Sequence, residues 1–197
     1  MKNAQVVLFD GFDPLDVVAP YEVLFAGGVD VELVSAEGPR VVPGGSGPLS
    51  LRATGFLRPE GDVVVVPGAS ARDVEGITAA LAATLRTPLP RLLGQARDNG
   101  AVLATVCGGA LVLAMAGLLE GRTAVTHHEG MDFLDATGVT AVDARVVDDG
   151  NVVSGGAVTS GLDVALHLLD RFRGCAVARE VERLFAYERR GIVWRTT

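Results

Sequence analysis

Four short runs of aliphatic and β-branched residues recur along the first half of the sequence. They are Val6–Phe9, Val31–Val34, Val63–Val66 and Val102–Val106. Because these runs do not alternate between apolar and polar residues, they are typical of strands buried on both faces of a parallel sheet. The segment after the first run begins at Asp13 and Pro14, a favourable helix start, and stops at Gly27 and Gly28. The chain therefore opens as a β-α-β unit.

The rest of the sequence continues the alternation of strands and helices. A short strand is predicted near Leu49–Arg52, followed by helical spacing over 74–99 that is broken at Pro88 and Pro90. Residues 141–154 are predicted to form an antiparallel ribbon that turns at Asp149 and Gly150. Two closing helices are predicted at about 159–172 and 176–187. We find no internal repeat or linker. This organisation predicts one α/β domain over residues 1–197, with helices on both faces of a mostly parallel sheet.

Composition excludes several classes of function. The net charge of -7 disfavours nucleic acid and anionic lipid as partners. The chain has one lysine, Lys2, so Schiff-base and P-loop chemistry are not expected. Runs of consecutive aliphatic residues, such as Val63–Val66 followed by Pro67, fall far short of the ~20 residues that span a bilayer. Acidic residues come too early for a signal peptide and there are only two cysteines, so we expect a cytoplasmic protein.

Cys107 is the strongest candidate for a nucleophile. It follows the run Val102–Val106 directly, and Gly108, Gly109 and a helical segment come next. A residue at such a strand-to-helix elbow occupies a strained turn that points its side chain out of the sheet. A helix N-terminus also favours the thiolate. The alternative is a buried structural cysteine, which is the assignment that we make for Cys175.

Few side chains are available to handle a proton beside Cys107. His127 and His128 follow a predicted strand, so at most one of them is expected to face the sulfur. His167 is expected on a solvated helix face. Asp16 lies one turn into the first helix, at the sheet edge where Cys107 emerges, although its simpler role is to stabilise the helix N-terminus.

Two other kinds of site are weaker candidates. A zinc site built from Cys107, His127 and His128 lacks a fourth ligand at suitable spacing. The turn after Val63–Val66, which contains Ala69, offers backbone amides that join that of Gly108 to stabilise developing negative charge. No dinucleotide or P-loop glycine pattern accompanies these turns, so we expect neither a nucleotide nor a metal cofactor.

Four segments, taken in this order and spacing, resemble the ThiJ/PfpI superfamily over nearly the whole chain. They are DPLDVVAPYEVL (13–24), DVVVVPGAS (62–70), ATVCGGALVLAMAGLLEGRTAVTHH (104–128) and SGGAVTSGLDVALHLL (154–169). The resemblance implies a flavodoxin-like three-layer α/β/α sandwich with a nucleophile elbow. Within the superfamily the segments are most similar to the isocyanide hydratase branch and to sensor domains of AraC-type regulators.

The resemblance also implies roles for individual residues. Cys107 takes the place of the family nucleophile, and Asp16 that of the acidic residue hydrogen-bonded to it. The amides of Ala69 and Gly108 match the oxyanion-stabilising turns, and His127 matches a histidine with a possible accessory role. Hydratases usually carry Thr and Gly where this chain has Gly108 and Ala69, so a hydroxyl is missing from the pocket.

The function implied is that of a cofactor-independent hydro-lyase. It adds water to a small electrophilic carbon, converting an isocyanide into an N-substituted formamide through a thioimidate on Cys107. The alternatives are glyoxalase or deglycase action on α-oxoaldehydes, an amidase that uses Cys107 with His127, and a non-catalytic redox or ligand sensor. A regulator with its own DNA-binding region is not expected, because the chain ends at Thr197 just after the last helix.

The resemblance further implies a homodimer. The sequence adds Phe12, Leu24, Phe25 and the tail 192–194 as candidates for an apolar contact surface, although a core role is the simpler expectation for most of them.

Overall fold

The structure, a computed structural model, describes residues 1–196, so the predicted domain boundary at Thr197 lies outside the described residues. Its strands are β1 Asn3–Leu8, β2 Asp30–Ser35, β3 Arg40–Pro43, β4 Ser50–Ala53, β5 Gly55–Phe56, β6 Val63–Val66, β7 Val102–Val106, β8 Thr123–Ala124, β9 Thr140–Ala141, β10 Val146–Asp149, β11 Val152–Gly155 and β12 Val193–Arg195. Its α-helices are α1 Pro14–Ala26, α2 Val74–Ala83, α3 Leu89–Asp98, α4 Gly109–Met115, α5 Met131–Asp135, α6 Ser160–Arg173 and α7 Cys175–Leu184.

The main sheet has eight strands in the order β12-β10-β11-β7-β6-β1-β2-β5. All neighbours are parallel except the hairpin pair β10 and β11. The four apolar runs form its centre, and every residue of β6 is fully buried. Helix α1 packs on α6, which packs on α7, whereas α2 packs on α4. The predicted three-layer fold with a mostly parallel sheet is confirmed.

The hairpin of β10 and β11 is not a separate ribbon. It turns at Gly150, as its sequence predicts, but β11 pairs in parallel with β7 and so extends the main sheet. Strand β12 adds to the far side of β10 and was not predicted, because three residues near a chain end carry no clear periodicity. The separate two-stranded pairs are β3 with β4 and β8 with β9.

Helix α6 corrects one sequence prediction. His167 and Asp163 do not lie on a solvated face, since each is only 2% exposed. His167 Nε2 is 2.8 Å from Asp148 Oδ2 at the end of the hairpin. Asp163 accepts hydrogen bonds from Arg145 and Tyr187. These pairings satisfy polar groups that the helical pattern alone could place only in water.

Candidate contact residues divide into two groups. Phe12 and Leu24 are fully buried, as the core assignment expects, whereas Phe25 and Ile192 are exposed. The homodimer remains a prediction. No helix within residues 1–196 is long and apolar enough to cross a membrane.

Glycine at the start of α4 permits a very close backbone contact with β6. A Cβ built on Gly109 would lie 2.1 Å from the carbonyl oxygen of Val66. Gly108, just before it, has an ordinary φ of -68°. The glycines of the elbow therefore allow α4 to start against the neighbouring strand, and they do not themselves adopt the left-handed conformation.

We predict that Gly109→Ala lowers the free energy of unfolding by about 2 kcal/mol or more, because overpacking against rigid backbone has no flexible group to absorb it. Gly94→Ala is the matched control. The nearest heavy atom to a Cβ at Gly94, in the middle of α3, is 3.7 Å away, so the alanine is expected to be neutral or stabilising by about 0.5–1 kcal/mol. Urea unfolding measures both. Equal stability of the two variants would contradict the close-contact argument.

Candidate active site

Three parallel strands deliver the candidate residues to one edge of the sheet. The chain leaves β1 towards α1 and β2 on one side, and later returns to β6 on the other side of β1. Ligand sites of open α/β sheets form at such a switch point, outside the carboxyl ends of the strands. Asp16 follows β1, Ala69 follows β6 and Cys107 follows β7. The topology therefore brings together three residues that are far apart in sequence.

Cys107 occupies a strained backbone conformation. Its φ of 54° is one of two positive values among the non-glycine residues 1–196. Its N–H donates to the Gly155 carbonyl at 3.0 Å, and its own carbonyl accepts from the Thr126 hydroxyl at 2.8 Å. A left-handed conformation costs an L-residue about 1–2 kcal/mol, so these contacts are needed to hold it. The predicted strained elbow is present.

The Cys107 side chain faces a cavity. The residue is only 7% exposed, yet it lines a pocket of about 420 Å³. The side chain therefore leaves the sheet towards a cavity, which residues of α2, α4 and α5 also line.

Asp16 is fully buried against the elbow and does not cap its helix. Asp13 performs that role, because its side chain accepts from the Leu15 N–H. Asp16 Oδ2 instead accepts from the Gly68 N–H at 2.9 Å. Its Oδ1 is buried without a hydrogen bond of normal geometry among residues 1–196. A proton carried on Oδ1 is thus free to be donated to the adjacent sulfur.

Burial controls the protonation of both groups. It raises the pKa of Asp16 to about 8, with the nearby Asp13 charge adding to the effect and the Gly68 N–H opposing it. Burial also raises the pKa of Cys107, and the Asp16 charge adds to that rise, against the lowering by the Gly108 N–H. The helix N-terminus acts in the expected direction, since the Gly108 N–H lowers the pKa of Cys107, but the net shift favours the thiol. Desolvation of a charged form outweighs the backbone contribution here.

The form of the pair in which Asp16 is protonated and uncharged has two chemical advantages. Because the pKa of Asp16 is raised to about 8, its carboxyl is mostly protonated at neutral pH, and the Asp16 charge then no longer opposes a thiolate on Cys107. A neutral carboxylic acid also donates a hydrogen bond to an anionic sulfur, which a carboxylate cannot do. Protonated Asp16 is thus the form that supports ionisation of Cys107 during a reaction.

Ala69 and Gly108, the residues whose amides are predicted to stabilise an anion, both lie at the cavity. Ala69 lines the cavity, and its N–H donates no hydrogen bond to another group among residues 1–196. The Gly108 N–H interacts with the Cys107 sulfur. The turn that holds Ala69 lies close to the elbow, because a Cβ on Gly68 would come within 2.6 Å of the Gly108 nitrogen. Ala69 and Gly108 therefore both line the cavity beside Cys107.

His127 lines the cavity but has another partner. Its Nδ1 accepts from the Glu129 N–H at 3.4 Å, and it makes no hydrogen bond to Cys107 or Asp16. The His127 and His128 rings are 4.1 Å apart, so they do not point to opposite sides as strand geometry predicts. They lie where the chain enters a short 3-10 turn, not in a strand. Within residues 1–196 no group of three or more His, Cys, Asp or Glu side chains is arranged to hold a metal ion.

Sequence reasoning missed two parts of the site. Thr126, whose hydroxyl donates to the Cys107 carbonyl, stands among other polar residues, so nothing in the sequence marks it. The apolar wall of the cavity combines α2, α4 and α5, and no local pattern reveals that these helices face one another. Its side chains are Val74, Ile77, Leu81, Leu111, Met115 and Phe133.

Comparison with known proteins shows the family. A model of the DJ-1/PfpI family matches residues 2–171. The chain belongs to this family. Isonitrile hydratase of Pseudomonas putida is 36% identical over 185 residues, which cover 92% of this chain and 76% of that protein. The resemblance to the ThiJ/PfpI superfamily seen in the sequence is thereby confirmed.

Other family members are more distant. Protein DJ-1 homolog A of Arabidopsis thaliana is 29% identical over 187 residues, covering 93% of this chain and 46% of the plant protein. The crystal structure of a ThiJ/PfpI family protein from Pseudomonas syringae is similar at a TM-score of 0.83, with 25% identity, over 96% of this chain and 76% of that chain. The family thus contains a hydratase alongside DJ-1 proteins.

We predict that Thr126→Val destabilises the elbow. The substitution removes the hydroxyl donor and leaves the buried Cys107 carbonyl unpaired, at a cost of about 1–3 kcal/mol in the free energy of unfolding. Thr126→Ser keeps the hydroxyl and is the matched control. Urea unfolding and the alkylation rate of Cys107 are measured together. A valine variant with the stability and thiol reactivity of the serine variant would contradict the supporting role.

We also predict a pH-dependent stability difference between the native protein and Asp16→Asn. The pKa of Asp16 rises from an ordinary 3.8 to about 8 on folding. Between these values the folded protein holds a proton that the unfolded chain has released, so the native protein loses up to about 1.4 kcal/mol of stability per pH unit as pH rises. The stability that Asp16 contributes through its raised pKa is fully present below about pH 4 and is lost as the pH rises through about 8.

The asparagine variant has no such proton to lose. Its stability relative to the native protein should therefore increase from about pH 4 to about pH 8 and then level off. Asp30→Asn, at an exposed position, controls for the loss of one negative charge. Thermal melts across this pH range measure the difference. A constant difference at all pH values would show that the Asp16 pKa is not raised by folding.

Proposed function

We propose that this protein is a cofactor-independent cysteine hydratase that converts an isocyanide and water into an N-substituted formamide. The observation that carries the proposal is the pairing of a strained, cavity-facing Cys107 with a buried, largely protonated Asp16. The similarity to the isonitrile hydratase of Pseudomonas putida, over most of both chains, supports the same chemistry. The amides of Ala69 and Gly108 complete the proposed site.

The first step joins the sulfur of Cys107 to the terminal carbon of the isocyanide. As this bond forms, Asp16 gives its proton to the same carbon and receives the proton of the thiol. The product is a thioimidate, in which the former isocyanide carbon carries one hydrogen and a double bond to nitrogen. In this proposal the amides of Ala69 and Gly108 stabilise the negative charge that develops as the bond forms.

The second step hydrolyses the thioimidate. Water adds to its carbon, and one water proton moves to the nitrogen. The carbon–sulfur bond then breaks, the remaining hydroxyl proton returns to the pair of Cys107 and Asp16, and the formamide leaves. Asp16 acts as general acid and base, a role in which a pKa near the working pH is favourable. We assign no proton transfer to His127, because its Nδ1 accepts from the Glu129 N–H and the ring makes no hydrogen bond to Cys107 or Asp16.

The proposal predicts hydration of alkyl or aryl isocyanides by the purified protein. Cys107→Ala should abolish turnover, and Asp16→Asn should lower kcat by about 10²–10⁴-fold, the typical contribution of a positioned acid or base. Cys175→Ala, which removes the exposed second thiol, should retain full activity. Formamide production is followed by liquid chromatography, with intact mass measurement to detect the thioimidate.

The same preparation should be tested with methylglyoxal. Consumption of methylglyoxal that requires Cys107, without isocyanide turnover, would replace the hydratase proposal with the α-oxoaldehyde alternative. Selective oxidation of Cys107 by mild peroxide, with no turnover of either compound, would favour the sensor alternative.

A further inference from the structure

The wall of the cavity above Cys107 is mainly hydrocarbon. Helix α2 presents Val74, Ile77 and Leu81, and α4 presents Leu111 and Met115. Binding of an apolar ligand to such a surface is favourable, and the binding free energy scales with the apolar area removed from water. It offers little to a small, strongly hydrated ligand.

Phe133 of α5 extends this wall into solvent. The residue lines the cavity yet is 51% exposed, and it belongs to a helix of only five residues. An exposed aromatic ring beside an apolar pocket is often functional, because a ligand can cover it. When the reacting carbon of a ligand lies at Cys107, its aliphatic or aromatic substituent occupies the cavity that Phe133 also lines.

The charged groups around the cavity have one dominant sign. Asp13 and Glu129 line it, His127 is the third titratable side chain besides Cys107, and no Lys or Arg is among the lining residues. The Asp13 charge is close enough to raise the pKa of both Asp16 and Cys107. Arg72 follows the lining residue Ala71 but does not itself line the cavity. An anion that enters this space therefore meets carboxylates and no basic partner.

We propose that the cavity selects electrophiles with an uncharged, apolar body and rejects those that carry a carboxylate. For the hydratase activity, on which this inference builds, the preferred isocyanides are aliphatic or aromatic ones, and isocyanides bearing an acid group are poor substrates. The wall of α2, α4 and Phe133 supplies the attraction, and Asp13 with Glu129 supplies the discrimination against anions.

Thiol alkylation tests this selection without any turnover. Iodoacetamide and iodoacetate differ mainly in charge, and N-phenylmaleimide and N-methylmaleimide differ mainly in apolar size. Cys175 is exposed and serves as an internal control in the same molecule. Peptide mass spectrometry measures the rate at each cysteine, and each ratio of reagents at Cys107 is divided by the same ratio at Cys175.

We expect both normalised ratios, amide over acid and phenyl over methyl, to be at least about tenfold, which corresponds to a modest difference in apolar burial or charge repulsion. Glu129→Gln should raise labelling by iodoacetate relative to iodoacetamide about two- to threefold at low salt, and added salt should remove this gain. Phe133→Ala should reduce the phenyl preference severalfold. Phe56→Ala, at an exposed ring outside the cavity, should leave that preference unchanged.

Normalised ratios near one would overturn the inference. The alkylation outcome is independent of the hydratase proposal. Selective labelling without isocyanide turnover would remove the proposed reaction and leave the ligand class standing. Equal turnover of neutral and carboxylate-bearing isocyanides would leave the reaction standing and remove the selectivity.

Discussion

The contact between the start of α4 and the end of β6 determines how the site is built. The absence of a side chain at Gly109 allows the helix to begin against the Val66 carbonyl, so the chain must change from strand to helix at Cys107. Cys107 therefore adopts a left-handed conformation, although two glycines follow it. Hydrogen bonds to Gly155 and from Thr126 hold that conformation from the neighbouring strand and loop. The strain is located at the one residue whose side chain must enter the cavity.

Local geometry at a helix N-terminus predicts that the anionic forms of Cys107 and Asp16 are stabilised, whereas burial favours their neutral forms. A helix N-terminus stabilises an anion, but the Cys107 sulfur and the Asp16 carboxyl share a desolvated space in which neither charge is well solvated. The outcome is an almost neutral pair at rest. Such a pair is suited to passing one proton between sulfur, carboxyl and substrate, because no stable ion pair must first be broken. In the proposed reaction, the amides of Ala69 and Gly108 stabilise the charge that appears only as bonds change.

Local sequence patterns predicted much of the architecture. The apolar runs of β1, β2, β6 and β7, the capped start of α1 and the turn at Gly150 are each encoded within a few residues, so their predicted positions agree with the structure to within a few residues. The errors involve partners that are distant in sequence. The helical pattern predicts a solvated His167, but in the fold Asp148 pairs with it. The hairpin pattern predicts a separate ribbon, but β11 pairs with β7 and joins the main sheet. Periodicity describes which face of an element is polar, but it does not state which polar groups meet in the interior.

The sequence by itself determined the class of fold, the elbow that contains Cys107 and, through resemblance to a family, the candidacy of Asp16. These depend on short-range features, namely apolar runs, glycine positions and helix caps. Only the tertiary structure decided that Asp16 is buried, that its Oδ1 lacks an ordinary partner, that Thr126 supports the elbow, and that three helices enclose an acidic-edged apolar cavity. Desolvation and charge proximity depend on what surrounds a group from every side, and that environment exists only after distant segments have packed together.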